Sequence, residues 1–320
     1  MIVPYERGLH EVADDVWAWL QPDGGWGWSN SGLIASDGES LLVDTLFDLD
    51  LTAAMLREMR KVVMAASPID TVVNTHANGD HTYGNQLLPG AEIIASEACA
   101  AEFEATTPEV MQGFLDSAPN LGALGEYVEH VFGAFDFTGI TLMPPTRTFR
   151  DAMDVRLGRR TVQLIELGPA HTKGDVIAWL PDAEVVFTGD LLFNGGHPIV
   201  WAGPIAGWIE ACDRIVGLAP AVVVPGHGPV TDGDAVRRMG DYFRWLQTEA
   251  RKRRDGGQSA LEAATDLHQG LADTPFGEWG ESERLVINVT AAYRDLGEEV
   301  ADDVVTMFTQ MAELAMSPAG

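Results

Sequence analysis

Thr75-His76-Ala77-Asn78-Gly79-Asp80-His81 packs two imidazoles, a carboxylate and an amide into six positions of a polar, Gly-containing turn. The run before it, Ile69 to Val73, is apolar-rich and reads as a buried strand. Imidazole and carboxylate are the ordinary ligands of zinc and its transition-metal neighbours. One such turn is only suggestive, but the grammar returns three times. Thr161 to Leu167 ends in Gly168-Pro169-Ala170-His171, Glu184 to Phe187 in Thr188-Gly189-Asp190, and Ala221 to Val224 in Pro225-Gly226-His227. Each time a strand-like run feeds a turn that presents one His or Asp. Ligands on loops at strand ends are how an α/β scaffold builds a site.

The 320 residues are 46% apolar, enough to bury a sizeable core in one large domain or two small ones. The start has no apolar stretch behind basic residues, and no apolar run approaches 18 residues. The expectation is therefore a cytoplasmic protein with neither signal peptide nor membrane span. Cys99 and Cys212 stand far apart and outside any His/Cys cluster, as buried thiols do. A formal charge of −28 argues against a nucleic-acid partner, which needs a basic footprint. Yet seven of the 20 Lys and Arg fall between Arg237 and Arg254, including Arg251, Lys252, Arg253 and Arg254. Charge runs are usually solvated helix faces; the functional alternative is a docking patch for an acidic or phosphate-bearing partner.

Taken in order, residues 1 to 95 read as an α/β half. Val16 to Leu20, Leu33 to Ala35, Leu41 to Val43 and Ile93-Ile94 are strand patterns, and Leu51 to Met64 has helical spacing. Residues 97–133 hold helical patterns broken by Pro108 and Pro119, either a lid or an ordinary covering layer. Pro144-Pro145 marks an extended connector. Residues 148 to 230 form a second α/β half with a helix at Gly207 to Leu218. Beyond 230, Asp234 to Arg254, Ser259 to His268 and Ser282 to Leu296 read as helices. The division expected is 1–230 and a helical extension at 231–320 packed upon it.

His76-x-Asn78-x-Asp80-His81 followed by His171, Asp190 and His227 resembles the motif set of the metallo-β-lactamase superfamily, with Leu41-Leu42-Val43-Asp44-Thr45 near its start. The resemblance implies a four-layer αββα sandwich, an α/β (α+β) fold, with a dimetal site between the sheets. Carried over, His76 and His171 would hold the first metal; Asp80, His81 and His227 the second; Asp190 would bridge. Asp44 would orient a ligand from behind. Asn78 departs from the family, which usually has His there. Its amide ligates through oxygen, yields to water, or leaves the first site weak. The metals implied are two divalent cations, Zn2+ by family habit, with Mn2+ or Fe as alternatives.

The spelling from Thr75 to Gln86 is similar to a narrower subset, the second-ring cyclases of bacterial aromatic polyketide pathways. That likeness implies aldol closure of a ring and cleavage of an acyl-carrier thioester, hence a small-molecule substrate tethered to an acyl carrier protein. A divalent cation acidifies bound water to a pKa of about 7 and polarises a carbonyl, and Asp80 can relay a proton. The ligands alone do not choose between aldol closure and hydrolysis of a free thioester, lactone or ester, and a binding protein with a vestigial site remains a third reading. Trp26 and Trp28 stand where the family places a hairpin beside the cleft, so they are candidates to stack on a flat substrate, as His197 is to line it. Arg251, Arg253 and Arg254 are the candidates for carrier or CoA docking. A homodimer is a further expectation.

Overall fold

The computed structural model describes residues 3–301 and 303–316. Two sheets face each other. The first contains seven strands in sequence order: β1 (Gly8–Ala13), β2 (Val16–Leu20), β3 (Ser31–Ser36), β4 (Glu39–Val43), β5 (Thr71–Val73), β6 (Glu92–Ser96) and β7 (Arg147–Phe149). β1 to β4 pair antiparallel and β4 to β7 parallel. The second sheet contains β8 (Ala152–Leu157), β9 (Arg160–Glu166), β10 (Val176–Leu180), β11 (Val185–Phe187) and β12 (Val222–Val224), in the order β12-β11-β10-β9-β8.

Alternation along the strands builds the layers. On β2, Val16, Ala18 and Leu20 enter the core between the sheets, while Trp17 and Trp19 turn outward to the face covered by α1 (Leu49–Val62). On β10, Val176, Ala178 and Leu180 face inward, and Ile177 and Trp179 face the opposite helical layer. Period two on a sheet buried on both faces explains why these segments read as unbroken apolar runs. Each fully buried Leu or Val there contributes about 1.5–3 kcal/mol. The sheets approach so closely at Gly32 that a Cβ there would lie 2.2 Å from the Phe187 ring.

The outer layer on the second sheet is α6 (Ile205–Gly217), α7 (Gly233–Asp255), α8 (Ala260–Gln269) and α9 (Leu285–Asp295). Trp208 of α6 packs on Phe243 of α7, the rings tilted by 38° with centroids 4.5 Å apart. One apolar cluster runs from Ile177, Val186 and Val223 of the sheet through these helices to α10 (Val304–Ala315), so the residues beyond 230 share a core with the sandwich. α10 has no counterpart in the sequence-based expectations. Asp303 caps it by accepting from the Thr306 amide at 2.9 Å.

Residues 97–133 form α3 (Glu97–Glu102), α4 (Pro108–Ser117) and α5 (Ala123–Phe132). The break expected at Pro108 separates α3 from α4, and Pro108 opens α4 at its first turn, where the missing N–H costs nothing, with Thr107 as its cap. Cys99 and Cys212 are free and buried. Among the described residues no helix is long and apolar enough to cross a membrane.

Candidate dimetal centre

Each ligand turn follows the end of a strand. His76, Asp80 and His81 come after β5, the last two on the short helix α2 (Gly79–Thr82). His171 follows β9, Asp190 follows β11 and His227 follows β12. Half the set thus belongs to each sheet, and the two halves meet at one edge of the sandwich. Ligand atoms of His76, His171 and Asp190 lie within 4.8 Å of one another, and so do those of Asp80, His81 and His227. All six residues are buried.

Asp190 stands between the two groups. Its Oδ2 lies 3.8 Å from His76 Nε2, 3.4 Å from His171 Nε2 and 3.4 Å from His227 Nε2. Its Oδ1 lies 3.1 Å from His81 Nε2. Asp80 Oδ2 is 3.3 Å from His227 Nε2 and 3.7 Å from His81 Nε2. Glycine makes this convergence affordable in space: a Cβ on Gly226 would fall 2.0 Å from Asp190 Oδ1, and Gly189, at φ +51°, backs onto Thr75.

The outer nitrogen of every imidazole is already engaged. His81 Nδ1 lies 2.9 Å from Asp44 Oδ2, His76 Nδ1 3.0 Å from Thr75 Oγ1, His171 Nδ1 2.7 Å from the Ile199 carbonyl, and His227 Nδ1 3.0 Å from the Gly24 carbonyl. Asp44 also accepts from the Thr75 amide and hydroxyl, both at 2.7 Å. Asp44 holds a left-handed φ of 62°, strain that persists because its neighbours fix it. With each Nδ1 spent, the Nε2 lone pairs point inward. His76 Nε2, His81 Nε2, His171 Nε2 and Asp190 Oδ1 are buried and have no hydrogen-bond partner. Orphaned acceptors at this density are costly unless a cation meets them, so the residues present fit two divalent metals.

The electrostatics agree. Burial lowers His76 and His171 below the usual imidazole range, and the neighbouring His81 pushes His76 down further. Burial also opposes charge on His227, but Asp190 and Asp80 outweigh it and hold the imidazole up at about 9. His81 is raised likewise, burial being outweighed by Asp190, Asp80 and Asp44. Burial would raise Asp190, yet His227, His81 and His76 keep it well below the carboxylate range.

Above the ligands opens a cleft of about 770 Å³. Trp26, Phe47, Tyr83, Phe114, Phe132, Phe193, Trp201 and Phe308 line it, with His171, Asp190, Asp80 and His227 at its floor. α4 and α5 wall one side, so residues 97–133 cover the site. Tyr83 ties them down by donating to the Thr106 carbonyl at 3.0 Å. Asn78 borders the cleft as the N-terminal residue before α2; its side chain makes no capping bond there.

Two of the expected substrate contacts are corrected. Trp28 turns away from the cleft, packing on Phe135 at 4.8 Å beneath the guanidinium of Arg7. The pair sits in a turn rather than a strand, with Gly27 at φ +71° between the two rings, and only Trp26 joins the wall. His197 is fully buried behind the cleft, with Nδ1 3.3 Å from the Tyr242 hydroxyl and its ring against Trp279. Burial holds its pKa at about 3, as for a neutral core imidazole. Arg251 is exposed on the last turns of α7; Arg253 pairs with Glu249 and with Asp266 at 2.7 Å, and Arg254 with Asp255 at 2.9 Å. Apart from Trp26, the aromatic lining of the cleft escaped the sequence reading. Arg284 and Phe308 reach the cleft from beyond residue 230, where no strand-end turn announces them.

The profile of the metallo-beta-lactamase superfamily matches residues 24–227, close to two thirds of the chain and every ligand turn above. The chain belongs to the metallo-beta-lactamase superfamily. Within it, the chain is 26% identical over 223 residues to a linear primary-alkylsulfatase of Pseudomonas sp., covering 62% of this chain and 41% of that protein. It is 27% identical over 192 residues to hydroxyacylglutathione hydrolase of Brucella ovis, covering 59% and 58%. It thus spans about 40 to 60% of the length of these relatives. Among solved structures, the sec-alkylsulfatase Pisa1 from Pseudomonas sp. superposes with TM-score 0.65 at 18% identity, over 90% of this chain and 50% of that one. A metallo-beta-lactamase from Pontibacter korlensis superposes with TM-score 0.55, over 75% and 99%. At these identities the superpositions speak for the fold alone.

Proposed function

We propose that this metallo-β-lactamase-fold protein is a dimetal cyclase and thioesterase acting on a polyketide chain. The carrying observation is the cleft: a metal-ligand floor beneath about 770 Å³ walled by aromatic rings. Such a space suits a large, flat, carbonyl-rich chain better than a peptide-like thiol with two carboxylates, which would call for unpaired cations. The Thr75 to Gln86 spelling supports the same reading.

Two divalent cations bound at the six ligands would supply Lewis acidity to a carbonyl and to water. The chain's own residues do the rest. Asp80, at the cleft floor beside His227, accepts the proton from an α-carbon; the electron pair adds to a ketone carbon, forming the C–C bond, and the proton passes to the new alkoxide. In the second step the oxygen of water adds to the thioester carbon, the C–S bond breaks, and the thiol leaves with a proton. Asp44 and Thr75 keep His81 and His76 oriented throughout. The aromatic walls fold the chain on itself. A carrier protein would meet the exposed Arg251, with Arg253 and Arg254 giving up their present partners.

A hydrolase of a free ester is the second reading, and the alkylsulfatase relatives make a sulfate ester its leading form. Metal-loaded protein should be offered a poly-β-ketoacyl N-acetylcysteamine thioester, 2-octyl sulfate and a glutathione thioester. Free thiol together with a cyclised product from the first alone is the expected result. Turnover of the sulfate or the glutathione thioester, with none of the polyketone, would replace this reading by the second.

A further inference from the structure

Arg284 lies in the cleft wall, is 1% exposed, and is contributed by the turn that precedes α9. Its guanidinium is clamped. Carbon Cζ sits 4.4 Å from the Trp26 ring centroid and 5.3 Å from that of Phe193. Nη1 donates to the His197 carbonyl at 2.8 Å, and Nη2 lies 2.8 Å from Glu281 Oε1. Glu281 is itself held in the left-handed region, at φ 62°, where it also accepts from the Trp26 amide at 2.8 Å. Of its three nitrogens only Nε is left with no acceptor, and it is buried. Arg160 and Arg254 also each keep one nitrogen without a hydrogen-bond partner, but away from the cleft. A buried donor left unmatched on a residue of the cleft wall costs stability unless an acceptor completes it.

The charge around it decides what that ligand is. Glu281 already balances the guanidinium, and Glu283 stands next to it, accepting from Trp26 Nε1 at 3.2 Å and the Tyr127 hydroxyl at 2.9 Å. An anionic group brought to Nε would face both carboxylates. A neutral oxygen would gain a hydrogen bond from a charged donor without that repulsion. We propose that Arg284 is a substrate-recognition residue whose Nε–H binds a neutral ketone or hydroxyl oxygen of the substrate, at a point along the chain other than the reacting carbonyl. This deepens the cyclase reading and rests on it for the nature of the substrate. It also sets the cleft against sulfate esters, whose charge Arg284 is not free to take.

The test reads binding, not turnover, so it fails separately from the proposed activity. Metal-loaded, full-length protein is titrated, by intrinsic fluorescence, with 2-acetylnaphthalene, with its deoxygenated analogue 2-ethylnaphthalene, and with 2-naphthyl sulfate. Expected is an affinity for the ketone about tenfold above the hydrocarbon, the worth of one charge-assisted hydrogen bond. In Arg284→Lys, which keeps a cation for Glu281 but removes the Nε donor, the ratio should fall to within about twofold, with metal content unchanged. Arg284→Met serves as the second variant, and comparing two ligands within one variant cancels any general loss of folding. Equal binding of ketone and hydrocarbon by the wild type would overturn the proposal. So would a ketone preference surviving both variants, or an Arg284-dependent preference for the sulfate.

Discussion

Asp44 shows how a site depends on residues that never touch a metal. Its carboxylate accepts from the Thr75 amide, the Thr75 hydroxyl and His81 Nδ1, and so sets the ring of one ligand and the backbone beside another. Asp44→Asn would turn an amide N–H toward one of these donors. Metal affinity in the Asp80, His81 and His227 group should then fall about 10–100-fold, measured by competition with a chelator. An unaltered affinity would remove Asp44 from that role. Asn78 belongs to the same scale. Its side chain borders the cleft where the motif resemblance leads one to expect an imidazole, so the His76, His171 and Asp190 group would hold a metal with fewer nitrogens.

At the scale of elements, the covering helices matter most. α4 and α5 stand over the ligands, and the bond from Tyr83 to the Thr106 carbonyl joins the ligand segment to the loop that enters α4. Tyr83→Phe keeps the ring in the cleft and removes that bond, worth about 1 kcal/mol. Amide exchange of residues 103–117 should quicken by about fivefold while the strands of both sheets keep their protection. Acceleration spread evenly over the chain would mean that the bond supports global stability and not this element. α10 packs onto the same helices, its Phe308 lying 5.7 Å from Phe114 of α4. Phe308 packs at 5.7 Å from Trp26 and 6.0 Å from Phe132, so the last described helix completes a wall begun near residue 26.

The whole molecule carries a formal charge of −28, yet its edge site draws imidazoles into a nest of carboxylates. Without metal, His227 holds its proton up to about 9 against an ordinary 6.5. A raised folded-state pKa gives stability that is full below about 6.5 and is lost as pH climbs through about 9, a contribution on the order of 3 kcal/mol. The metal-free protein should therefore show a falling Tm from pH 7 to pH 10. The metal-loaded protein should not show this loss, because cations replace those protons and bind better as pH rises. Thermal scans of both forms across that range check it, and parallel pH profiles would show that His227 is neutral in the metal-free fold.

The linear order of residues determined a great deal here. Strand-like runs ending in His76, Asp80, His81, His171, Asp190 and His227 were legible because period-two burial and turn chemistry are local properties. The α/β layering and most helices followed from the same local patterns. The aromatic pair shows where this stopped: Trp26 and Trp28 stand two apart with equal claims, and only packing against Phe135 and Phe308 decides which ring meets the cleft. His197 looked like a lining residue by its nearness to Asp190, but the turn between them points it into the core. Arg284 lay 57 positions beyond the last ligand and had no signal at all. Burial, the pairing of a guanidinium with Glu281 and the donor left over are relations between distant segments, set only when the helices beyond residue 230 close onto the sandwich.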